Sequence, residues 1–107
     1  MIRLFSFILA AGLCSAAYAD TTDAMKSAYQ HDNTKMSANM KMNATSDNPD
    51  VAFVQGMLPH HQGAVDMAKT ELKYGKDPEI RALAADIIKA QDAEIAQMNA
   101  WLAKQPK

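Results

Sequence analysis

Two copies of one helix-starting signal, Asn48-Pro49-Asp50 and Asp77-Pro78-Glu79, constrain this chain more than any other feature. Each places a side-chain acceptor before the helix, a proline at its first position and an acid in its first turn. After the first signal, apolar residues recur at Val51, Val54, Leu58, Val65, Ala68 and Leu72, spacings of three, four and seven that trace one helical face. After the second, Ile80, Leu83, Ala84, Ile87, Ile88, Ile95, Met98 and Leu102 do the same. Gly75 is a natural stop between them. Pro59 lies inside the first pattern and is expected to kink the helix, because it removes a backbone bond to Gln55. No alternating strand pattern occurs. The expected fold is all-α: an antiparallel helical hairpin over residues 49–107, turning near Gly75 to Asp77.

Two helices of about 25 residues cannot enclose a core by themselves, and each leaves part of its apolar stripe in water. Either the preceding segment folds over the hairpin, or two chains pair into a four-helix bundle. The expectation favours a homodimer.

Residues 1–19 read as a secretory leader. Arg3 supplies the basic start, Leu4 to Ala16 is mainly apolar and small, and Ala17-Tyr18-Ala19 is a small-x-small cleavage pattern. That apolar run falls short of the roughly 20 residues needed to span a bilayer, so no membrane span is expected once it is cut. Cleavage after Ala19 leaves 88 of 107 residues, in the periplasm or outside the cell. It also removes Cys14, the one cysteine. Leu13 before it fits a lipidation site poorly. The mature chain then has no disulfide, thiolate ligand or cysteine nucleophile, although small exported domains commonly rely on a staple, a metal or a partner.

Without Arg3, ten basic side chains stand against twelve acids. There is no basic block and no interleaving of Lys or Arg with aromatics, which argues against nucleic acid as a partner. Methionine is the compositional outlier, with eight in the chain.

Residues 20–48 form a polar arm rich in Thr, Asn, Ser, Lys and Asp. It is expected to be flexible or marginally helical, because it lacks the aliphatics for a core. Its apolar content is Met25, Met36, Met40, Met42 and Tyr29. Asn43-Ala44-Thr45 fits a glycosylation triplet, relevant only in a eukaryotic secretory route.

The chemistry concentrates in Met57-Leu58-Pro59-His60-His61-Gln62-Gly63-Ala64-Val65-Asp66-Met67. Helical spacing puts His61 on the face of Val54, Leu58 and Val65, and places Met57, His60 and Met67 on the adjoining flank. Counting outward from a turn near residue 76 sets His61 level with Gln91 and Met57 with Ile95, so Met98 falls within roughly one turn of Met57. Met57, His61 and Met98 are thus expected to converge, with His60 and Met67 completing that site or forming a second. The plain alternative is packing, since methionine often fills cores and a histidine on an apolar face is usually a hydrogen-bonded core residue. Two adjacent histidines flanked by methionines and facing a third shift the balance toward a metal.

Thioether and imidazole without thiolate favour Cu(I) and, by the same softness, Ag(I). Zinc prefers Cys, His or carboxylate, and calcium an oxygen cage. The arm offers a looser set: His31, Met36, Met40 and Met42. Trp101 is read as structural, and Asp66, Glu71, Asp86, Asp92 and Glu94 as solvated helix faces. Enzyme readings find little: the Glu-x-x-His di-iron motif, the His-Glu-x-x-His protease motif and a Gly-rich phosphate loop are all absent.

Phe53-Val54-Gln55-Gly56-Met57-Leu58-Pro59-His60-His61-Gln62-Gly63-Ala64-Val65-Asp66-Met67-Ala68 closely resembles the signature of the exported helical family known as domain of unknown function 305. Ile87-Ile88-Lys89-Ala90-Gln91-Asp92-Ala93-Glu94-Ile95-Ala96-Gln97-Met98 with Trp101-Leu102 is similar to its second-helix pattern. The resemblance implies a ferritin-like helical bundle and, through CopM-like members, copper and silver binding and resistance. It carries over Met57, His60, His61, Met67 and Met98 as ligand candidates. The expected function is an exported, non-enzymatic copper-binding protein that sequesters Cu(I) or hands it to a copper-transport or copper-accepting protein. The rivals are an interaction module whose Met-rich faces pack on a partner helix and a copper-dependent oxidase, for which the sequence offers no substrate pocket.

Overall fold

The computed structural model describes residues 14–43 and 45–107, with side chains from residue 21. The expected leader, with Cys14 and the cut after Ala19, lies outside the residues described in side-chain detail, and Ala44 of the glycosylation triplet is likewise outside them. Three helices make up the described chain: α1 (Cys14–Asn43), α2 (Pro49–Tyr74) and α3 (Pro78–Ala103). No strand occurs among the described residues, and the fold is all-α as the apolar spacing requires.

Both expected caps are made. Asn48 Oδ1 accepts from the backbone N–H of Asp50 (2.9 Å) and Val51 (3.3 Å). Asp77 Oδ1 accepts from Glu79 (2.9 Å) and Ile80 (3.3 Å). These bonds satisfy amide donors that a helix start leaves without partners. At the turn, the Gly75 N–H donates to the Glu71 carbonyl at 2.6 Å. The Arg81 guanidinium reaches back from α3 and donates through Nη1 to the carbonyls of Leu72 (2.6 Å) and Gly75 (2.9 Å). Gly75 ends α2 in extended backbone, φ −73° and ψ 152°. It is needed for space: a Cβ there would lie 2.7 Å from the Glu71 carbonyl oxygen. Helix α2 continues through the buried Pro59 as one element. Losing one bond to Gln55 does not end a helix held by packing on both sides.

The arm is an ordered part of the fold. Helix α1 lies along α2, and α3 lies along another face of α2; among the described residues the backbones of α1 and α3 do not pack on each other, although Tyr29 shares a groove with Leu83 and Ile87. Among the described side chains of α1, the half-buried ones are Met25, Ala28, Tyr29, Asp32, Met36 and Asn39. They recur at helical spacing but mix apolar with polar types, which hides the face from a search for apolar residues alone. Of the two ways expected to cover the hairpin, folding of the arm is realised within the chain.

This arrangement leaves a thin core, because helices ranged beside one central helix do not surround an interior. Among the described residues the buried apolar core consists of Val65, 1% exposed, with Ala68 and Ala84. Phe53 (65% exposed), Ile80 (46%) and Leu83 (52%) stay in solvent. No described helix is long and apolar enough to cross a membrane.

Candidate metal centre

The two capped starts set the phase of α2 and α3, and that phase brings His61 against α3. His61 is 8% exposed. Its Nδ1 lies 2.9 Å from the carbonyl oxygen of Met57, one turn back on the same helix. A carbonyl only accepts, so Nδ1 carries the proton and donates it. Nε2 therefore points across to α3, where it meets Glu94 Oε2 at hydrogen-bonding distance. In a neutral ring so oriented, Nε2 is an acceptor facing a carboxylate. Two acceptors hold together only around a shared proton or a metal ion.

A cavity of about 670 Å³ opens beside this pair, bounded by Met57 from α2 and Met98 from α3. Phe53, Val54 and Trp101 form its apolar wall, and Gln97 and Lys104 lie on its α3 side. The structure thus gathers Met57, His61 and Met98 at one cavity and adds the Glu94 carboxylate. The donors present are one imidazole nitrogen, one carboxylate oxygen and two thioether sulfurs, which suits a soft or borderline cation. Among the described residues no three His, Cys, Asp or Glu side chains come together, so any set of three donors here includes a thioether.

The other candidates lie elsewhere. His60 is exposed and does not line the cavity, although its ring centroid is 6.3 Å from that of His61. Met67 lines a separate groove with Tyr29, Ala64, Leu83 and Ile87. His60 and Met67 therefore do not complete the Met57–His61–Met98 group. The arm set also divides. Met36 is half-buried against Gly63, where a Cβ would fall 2.5 Å from its sulfur. His31 is exposed, and Met42 is 73% exposed.

Three acids expected to be merely solvated have partners. Asp66 accepts from Lys35 Nζ (3.2 Å) and Gln62 Nε2 (3.0 Å). Glu71 accepts from the Tyr29 hydroxyl (3.4 Å), and Glu94 meets His61. Glu94 is the residue that the sequence reading missed. It stands three positions beyond Gln91, which counting from residue 76 set level with His61. The turn between Tyr74 and Pro78 is centred on residue 76 as counted, so the His61–Glu94 contact reflects a stagger of three residues between α2 and α3, and the same stagger sets Met98 level with Met57. Trp101, read as structural, is half-exposed at the cavity wall.

The Tyr29 hydroxyl has its pKa raised, first by burial and then by the charge of Glu71, the hydrogen bond to it, and Asp32. Beside it, Thr70 Oγ1 donates to Asp32 Oδ2 at 2.7 Å. These polar contacts hold α1 on α2.

The model of the family described as domain of unknown function (DUF305) matches residues 10–103, and the chain belongs to that family. It is also similar to an uncharacterized protein of Acanthamoeba polyphaga mimivirus, 45% identical over 53 residues. That match takes in 50% of this chain and 35% of the viral protein, so the similarity spans about a third of the longer relative.

Proposed function

We propose that this member of the DUF305 family is a copper-binding protein that takes Cu(I), and by the same chemistry Ag(I), to sequester it or pass it to a copper-accepting partner. The reading places it in the periplasm or outside the cell, after removal of residues 1–19, and assigns it no catalysis of its own. One observation carries it: Met57, His61 and Met98 border one cavity, with Nε2 of His61 paired to the Glu94 carboxylate. The Met57 carbonyl fixes the imidazole so that Nε2 is the nitrogen offered. Glu94 supplies a negative charge that offsets a captured cation. The thioethers of Met57 and Met98 bind without losing a proton, whereas His61 binds only when Nε2 is unprotonated. Affinity should therefore fall, without vanishing, in acid. Exchangeable thioether bonds and an open cavity suit release to a partner.

The test is an anaerobic Cu(I) titration of residues 20–107 against a chromogenic Cu(I) chelator, read also through the fluorescence of Trp101. Competition that weakens at least tenfold in Met57→Leu/His61→Ala supports the reading. Absence of competition by the unaltered protein would overturn it.

The exposed Phe53, Ile80 and Leu83 favour a second association, in which two copies pair through these faces. Sedimentation of a compact monomer at micromolar concentration would refute that pairing. The same faces are what an interaction module would use, and binding of a partner helix by metal-free protein, unaffected by chelators, would favour that reading.

A further inference from the structure

The geometry points to a second soft-cation site, built across the α1–α2 seam from Met36 and Met40 of α1 and His60 and Met67 of α2. This inference rests on the reading that the protein takes soft monovalent cations. It adds a site that clasps the arm to the hairpin.

The anchor is Gly63. A Cβ built on it would fall 2.5 Å from Met36 Sδ and 2.8 Å from Met36 Cγ. The Met36 thioether therefore rests directly on the α2 backbone in a notch that any side chain would fill. His60 is three residues before Gly63 and Met67 four after it, so both are its surface neighbours, with Cβ atoms about 5–6 Å away on an α-helix. The Met36 sulfur thus rests one helical turn from both His60 and Met67 on α2.

The seam is antiparallel: Tyr29 meets Glu71, Asp32 meets Thr70 and Lys35 meets Asp66. Continuing that order one turn past Met36 sets Met40 beside His60. Met40 is 36% and Met67 38% exposed, and Met67 borders the groove that Tyr29 of α1 shares with Leu83 and Ile87. His60 is exposed and makes no hydrogen bond to a protein group among those described for the histidines. Three thioethers and one imidazole match Cu(I) or Ag(I) and suit harder divalent ions poorly.

A cation held by both helices would also tie α1 down. The seam otherwise depends on half-buried polar contacts and one methionine, so its closure should respond to the metal. The pocket on the α3 side has no such link to α1.

Native mass spectrometry with Ag(I), which is redox-inert here, distinguishes the two sites in residues 20–107. The unaltered protein is expected to hold two ions. Met36→Leu, His60→Ala and Met98→Leu should each hold one. Amide exchange across α1 should slow on Ag(I) addition in the unaltered protein and in Met98→Leu, but not in Met36→Leu or His60→Ala. His60→Ala leaves the Met36–Gly63 packing intact, so it decides the matter if Met36→Leu undocks α1. Two ions retained in His60→Ala, or α1 exchange insensitive to Ag(I), would overturn the seam site. One ion lost on Met98→Leu, with no second, would leave the cavity reading standing alone. No ion in the unaltered protein would remove both.

Discussion

The α2–α3 seam and the α1–α2 seam join the same central helix by different means. The first is an apolar hairpin with two capped starts, a guanidinium covering the carbonyls at the turn, and stripes at helical spacing. The second is held by Tyr29–Glu71, Thr70–Asp32 and Lys35–Asp66, with Met36 set on Gly63. Burial of apolar area gives the hairpin a non-directional attraction that tolerates small shifts. The arm depends on directional bonds and one steric fit, so small changes there should have local and selective effects. The more polar seam is the one suited to opening.

The largest expected effect falls on the hairpin. Val65→Ala empties the most deeply buried described side chain and should lower stability by about 2–3 kcal/mol, read by denaturant melts of the whole helical signal. A loss confined to α1 would place Val65 in the wrong seam. Next comes Gly63→Ala, whose new methyl collides with Met36. It should cost about 1–3 kcal/mol as an overpacking change and raise amide exchange in α1 while the hairpin keeps its protection. Uniform destabilisation would show that the two seams are one cooperative unit.

The smallest effect is titration of Tyr29. Burial and the charge of Glu71 raise its pKa, so the folded chain favours the neutral hydroxyl. That contribution is fully present below the unfolded value near 10 and is lost as pH climbs through the raised folded value. Protection of α1, taken relative to the base-catalysed exchange of an unfolded peptide, should therefore fall above about pH 10, and Tyr29→Phe should flatten this dependence. An unchanged profile would remove Tyr29 from the seam's energetics.

Legibility in the sequence followed the same division. Asn48, Asp77, the prolines after them and the two apolar stripes announced α2 and α3, because capping and helical periodicity are local. Tyr29, Asp32 and Met36 did not announce α1 as a docked helix, because their partners lie on α2 and only one of the contacts is apolar packing. Glu94 looked like any exposed acid for a related reason. Its partner is 33 positions away, and counting outward from a turn does not fix the stagger between the two helices, which here amounts to three residues.

By itself, then, the sequence determined the all-α class, the two hairpin helices and the concentration of imidazole and thioether donors around His60 and His61. All of these depend on residue type and on spacing within one helix. Only the tertiary structure decided that Met57, His61 and Met98 share a cavity with Glu94, that His60 and Met67 face away from it, and that the arm closes on Gly63. The helical period says which residues share a face. Which faces meet, and at what height, depends on where the turn ends and on which backbone leaves room for a neighbour's side chain.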